Sequence, residues 1–229
     1  MDRKAIIIEA SYTDPATKGA EADAMLWRDF LESDIGGGWR ASDVLFISNP
    51  SPDELNLTLL KAANSEYAFV VFCGRGDLLK LDKPWRETAL YFGPHGTLTE
   101  SLLTPKTPKC TLLFDCCRYQ DNLIPDQRLF VKVKSGLARE RFDESLKKSE
   151  NGLVKIFAKN GENQTGKHQS FSRHLIQQAQ KWAHTDSSVL GQDIAFNLAN
   201  EAIKSIYPLL HCEYFPGRRS HHFPFAVHV

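Results

Sequence analysis

From Tyr67 to Cys73 the chain reads Tyr-Ala-Phe-Val-Val-Phe-Cys, an apolar run without the alternation of a strand that has one wet face. Cys110–Phe114 is a second such run, and Ala5–Ile8 is the apolar centre of a third. Strands of this kind belong inside a sheet covered on both sides. Between them lie segments with helical spacing. Ala22, Leu26 and Phe30 share a face within 19–33, and Gly36-Gly37-Gly38 stops that helix. Ser51-Pro52-Asp53-Glu54 is a capping box with Pro just inside, predicting a helix to about Ala63. Further helices are predicted over 138–148, 170–182 and 192–205, with strands at 44–47, 153–158 and 223–227. The stretch from Leu81 to about Leu103 has hairpin character, with Gly93-Pro94-His95-Gly96 as its turn. Strands alternating with helices imply an α/β fold, a mostly parallel sheet with helices on both faces.

Lys plus Arg balances Asp plus Glu at 28 each, which argues against nucleic acid as a partner. No apolar stretch approaches the roughly twenty residues of a membrane span, so no membrane insertion is expected. Glu9 interrupts the first apolar run, short of the roughly seven residues an export signal needs. The five cysteines are an odd number, and Cys116 and Cys117 are neighbours. Reduced thiols in a cytoplasmic protein are therefore expected rather than a disulfide framework.

In a parallel sheet the working residues collect beyond the carboxyl ends of the strands. Two loops are expected there, Gly74-Arg75-Gly76 and Asp115-Cys116-Cys117-Arg118. A thiol becomes nucleophilic when partly exposed, ionised and set near oriented donors, and Cys117 follows a buried strand directly. Gly76 could offer a backbone N–H to an oxyanion beside that of Cys117. The plainer reading is that both cysteines are packing residues, since free Cys is among the most buried types. Gly74-Arg75-Gly76 lacks the longer glycine pattern and the Lys-Ser/Thr of a nucleotide loop.

These two strand ends resemble the caspase and metacaspase family, clan CD cysteine peptidases, and its bacterial members in particular. That family carries an apolar strand ending in Ser-Gly-His-Gly and a later one ending in Asp-x-Cys. Here the corresponding stretches are Phe69–Gly76 and Leu112–Arg118. Lys4–Glu9, Gly37 to Ser51 and Gly217 to Ala226 are also similar, so the likeness spans nearly the whole chain. It implies a three-layer sandwich forming one domain over 1–229, with a large-subunit-like part over about 1–125 and a small-subunit-like part over about 140–229.

The resemblance further implies an endopeptidase with Cys117 as nucleophile, an oxyanion site at Gly76 and Cys117, and no metal or cofactor. Asp115, with Glu162 as a second candidate, would bind a basic side chain before the cut. The partner would be a protein or peptide, with a gasdermin-like pore former in bacterial defence or cell death as one family-level case. One departure stands out: the family's catalytic His falls on Arg75. A His near roughly pH 6.5 gives and takes protons, whereas an Arg near roughly 13 does not. Arg75 could hold a thiolate but not protonate the leaving amine. The chain is thus either a greatly slowed protease or a pseudoprotease that binds without cutting. His95, on the expected turn, is a poor substitute; His168, His174, His221 and His222 read as surface residues.

Overall fold

The computed structural model of the chain describes residues 1–12, 18–79, 87–116, 136–159, 170–185, 188–208 and 211–229. Its strands are β1 (Arg3–Ala10), β2 (Val44–Ser48), β3 (Tyr67–Gly74), β4 (Gly76–Leu79), β5 (Glu87–Tyr91), β6 (Thr97–Thr99), β7 (Lys109–Cys116), β8 (Gly152–Lys159), β9 (Val189–Gly191), β10 (His211–Phe215) and β11 (Pro224–Val227). Its helices are α1 (Lys18–Glu32), α2 (Pro52–Ala62), α3 (Gly136–Lys148), α4 (Phe171–Trp182) and α5 (Gln192–Ile206).

Among the described residues, six strands form the central sheet in the order β10–β8–β7–β3–β1–β2. All neighbours are parallel except β10, which runs antiparallel on β8 at one edge. Every residue of β3 and β7 is buried, as uninterrupted apolar runs require. The pleat sends Ala5, Ile7, Phe69, Val71 and Leu113 to one face, into a core shared with Trp27 and Phe30 of α1, Leu175 of α4 and Phe196 of α5. Ile6, Ile8, Val70, Phe72, Leu112 and Phe114 point the other way. There Leu55 and Leu59 of α2 cover them, together with Leu90 and Phe92. The fold is α/β, in three layers. No helix among the described residues is long and apolar enough to cross a membrane.

Local signals act where expected. Ser51 caps α2 by accepting from the Glu54 N–H at 3.3 Å, with Pro52 in the first turn. After α1, Gly37 takes φ +98°, and a Cβ there would lie 2.4 Å from the Phe142 ring. The 93–96 turn forms between β5 and β6, but β4 joins them to make a three-stranded sheet. The closing strand forms where expected, but in a sheet of its own. β11 pairs antiparallel with β9, not with the central sheet, while the sheet's edge is β10, whose His-Cys-Glu-Tyr-Phe offers no apolar run.

At the amino ends of the strands lies a buried cation. Arg3 is fully buried, its guanidinium 4.4 Å from the ring centres of both Trp39 and Phe142. It donates to the Gly37 carbonyl, and its Nε lies 3.4 Å from Asp143 Oδ1. Burial lowers its pKa to about 10. Beside it three buried side chains close a ring. Gln192 Nε2 donates to the Tyr67 hydroxyl at 3.0 Å, Tyr67 shares 2.9 Å with Thr111, and Thr111 donates to Gln192 Oε1 at 3.0 Å. Removing one partner of a buried ion pair strands the other. Arg3→Met is therefore expected to cost about 3–5 kcal/mol, read as a lowered urea midpoint; an unchanged midpoint would contradict this account of Arg3.

Candidate active site

β3 and β7 are parallel neighbours, with Cys73 opposite Asp115. The chain therefore leaves both strands on the same side, in adjacent positions about 4.8 Å apart. Arg75 follows β3 directly and β4 begins at Gly76. Asp115 and Cys116, expected in a loop, are instead the last residues of β7, and both are buried. The pairing with β8 accounts for this, since Asp115 and Cys116 lie opposite Ala158 and Lys159 and extend the ladder. Cys117 and Glu162 lie outside the described residues.

Arg75 is tied to the small sheet. Its carbonyl accepts from the Tyr91 N–H at 2.9 Å, and its guanidinium carbon stands 5.1 Å from the Tyr91 ring centre. Nη2 lies 4.0 Å from Asp77 Oδ2, and the Tyr91 hydroxyl donates to that same oxygen at 3.0 Å. The Arg75 side chain remains 34% exposed. Gly76 passes over the end of β7: a Cβ there would lie 2.6 Å from Cys116 Sγ and 3.1 Å from the Ala89 carbonyl. Only a glycine lets β4 come so close.

On the other face the carboxyl edge is acidic. Asp115 Oδ2 accepts from the Ser172 N–H at 2.8 Å, in the first turn of α4. Asp23 of α1 is 2% exposed and binds that turn too, accepting from Arg173 Nε at 2.9 Å and from Ser170. Burial, and then the charge of Asp115, push the Asp23 carboxyl up to about 7, with Arg173 and Ser170 opposing. Glu9, opposite Cys73 in the register, accepts from Ser48 and from Asn49 Nδ2 at 3.2 Å. Desolvation and these carboxylates hold the Cys73 thiol protonated. Burial also raises Cys110 and Cys212, each to about 12.

Asp23, Arg173, Asp77 and Tyr91 are not among the residues that the sequence pattern singles out, and Glu9 stands out there only as a break in an apolar run. Asp23 had a signal: it lies four residues before Trp27 and seven before Phe30, inside the buried stripe of α1. Asp77 and Tyr91 had none, because the β4–β5 pairing brings them together. Among the histidines, His95 is exposed on its turn, as expected. His174 is not a surface residue: it is 5% exposed, and burial lowers its pKa. His221 lies 3.8 Å from Glu150, and His222 takes the Ser149 hydroxyl on its carbonyl, both near the start of β8. That is the opposite end of the strands from Arg75. His168 lies outside the described residues.

No protein-family model matches the sequence, and no curated protein does. Among solved structures, the chain is similar to the crystal structure of protein GSU0716 from Geobacter sulfurreducens, a Northeast Structural Genomics target. The TM-score is 0.57 with 14% identity, over 100% of both chains. This is a likeness of fold.

Two outcomes follow from this geometry. Asp23 has a folded-state pKa raised to about 7 from an ordinary 3.8, so its contribution to stability is full below the ordinary value and is lost as pH rises through 7. The urea midpoint of Asp23→Asn minus that of the wild type should therefore grow between about pH 4 and about pH 8; a constant difference would rule this out. Gly76→Ala, which forces a methyl against Cys116 and a backbone carbonyl, should cost about 1–3 kcal/mol in thermal or urea unfolding.

Proposed function

We propose that the chain is a caspase-like cysteine peptidase domain whose chemistry is slowed or abolished by Arg75. The observation that carries this reading is the parallel register of β3 and β7, which ends both strands side by side. In the proposed site a Cys117 thiolate attacks the scissile carbonyl, and the N–H groups of Gly76 and Cys117 receive the oxyanion. Arg75 stabilises the thiolate as a fixed positive charge. A guanidinium is too weak an acid to protonate the leaving amine, so the tetrahedral adduct reverts more readily than it collapses forward. Asp115, with Glu162, would favour a basic residue before the cut.

By the same family likeness the substrate is a protein or peptide inside the cell, with a gasdermin-like pore former as one case. A second reading has a specific observation behind it. Arg75 is anchored on Tyr91 and Asp77, as suits a pseudoprotease that keeps its cleft for binding. The two readings share a fold and differ in turnover.

The deciding comparison offers peptides with Arg, Lys, Asp or Leu before the scissile bond to the wild type, Arg75→His and Arg75→His/Cys117→Ala. Restoring a proton shuttle should raise cleavage after Arg or Lys by roughly 10²- to 10⁴-fold, and the Cys117 change should remove that gain. Failure of every form to cut any peptide would overturn the protease reading. Iodoacetamide should also label Cys117 ahead of Cys116, which is 4% exposed.

A further inference from the structure

The side chain of Arg75 is held by the small sheet, through Asp77 of β4 and Tyr91 of β5. A single residue separates β3 from β4, and the antiparallel pairing of Gly76 with Leu90 brings Tyr91 alongside Arg75. Tyr91 then meets Arg75 twice, through its N–H on the Arg75 carbonyl at 2.9 Å and through its ring at 5.1 Å from the guanidinium carbon. Asp77 closes a triangle. Its Oδ2 takes the Tyr91 hydroxyl at 3.0 Å and faces Arg75 Nη2 at 4.0 Å. Each contact is modest at a partly exposed site. Acting together they restrict a long side chain that would otherwise sample many rotamers in water.

We propose that Tyr91 and Asp77 are positioning residues that fix the Arg75 guanidinium at the carboxyl edge of the sheet, so that the β4–β5 hairpin sets the positive field felt by the proposed thiol. This rests on the reading of Cys117 and Arg75 given above. Asp77 makes the idea sharply testable, because position and charge act in opposite directions there. As a bare countercharge, Asp77 weakens the field of Arg75, and its removal would lower the thiol pKa. As a positioning group it keeps the cation in place, and its removal raises the thiol pKa despite the loss of a negative charge.

The experiment measures iodoacetamide modification of Cys117 in the full chain by peptide mass spectrometry, from about pH 5 to about pH 10, and takes the midpoint of the rate profile. The variants are Arg75→Ala, Asp77→Asn, Tyr91→Phe, Tyr91→Leu and Arg75→Ala/Asp77→Asn, each checked for an intact thermal transition. Arg75→Ala should raise the midpoint, with labelling near neutral pH slowed roughly tenfold. Asp77→Asn and Tyr91→Leu should slow it roughly threefold, and Tyr91→Phe, which keeps the ring, by less. With Arg75 already removed, Asp77→Asn should no longer raise the midpoint. A lower midpoint for Asp77→Asn, or an equal rise with and without Arg75, would overturn the positioning role while leaving the Arg75–thiol reading intact. No change in Arg75→Ala would overturn both.

Discussion

A parallel sheet buried on both faces can present polar chemistry only at its ends, and here one strand joins two helix ends of opposite polarity. β7 begins at Lys109, whose ammonium donates to the Leu146 carbonyl in the last turn of α3. Near its other end stands Asp115, whose carboxylate accepts an N–H from the first turn of α4. A cation thus meets a helix carboxyl end and an anion meets a helix amino end, the favourable sense of both dipoles. The register carries the same polarity sideways. Arg3, Tyr67 and Lys109 share a row at the amino edge, whereas Glu9, Cys73 and Asp115 share one at the carboxyl edge. Buried charge is tolerated at both edges because each charge has a partner.

This polarity limits what the carboxyl edge can do. Asp115 already serves α4, and Asp23 shares the same turn through Arg173 and Ser170. A basic ligand at Asp115 would thus enter a field that two buried carboxylates create and one arginine partly neutralises. Burial first, and then the charge of Asp115, make ionising Asp23 costly and push its pKa up. The structural role of Asp115 and the binding role proposed for it are therefore coupled through α4.

The architecture was legible because its strongest signals are local or periodic. The runs at 67–73 and 110–114 announce β3 and β7, and Ser51 with Pro52 announces α2. What escaped depends on pairing. β10 carries alternating polar residues and is a strand because β8 offers a free edge; β9 is one because β11, the strand expected at 223–227, pairs with it. Asp115 and Cys116 look like loop residues next to Cys117, yet the ladder to β8 draws them into the sheet. Of the candidate site, Arg75 and Gly76 could be placed at a strand end from the sequence. The Tyr91–Asp77 support could not, since it arises from a cross-strand contact over a polar stretch.

Burial also sorts the thiols. Cys73 faces a row of carboxylates beneath α1, Cys110 and Cys116 lie in the apolar layer under α2 and β5, and Cys212 sits on the edge strand with its pKa driven upward. A thiol held protonated is neither a nucleophile nor a metal ligand. The sheet thereby withdraws Cys73, Cys110 and Cys212 from reaction by desolvation, and Cys116 by the close approach of Gly76. Arg75 is the described cation that follows directly on β3, at the end where the neighbouring β7 finishes. Thiolate chemistry needs a positive field and a sulfur beyond the buried ladder. None of the buried thiols Cys73, Cys110 and Cys116 meets both conditions.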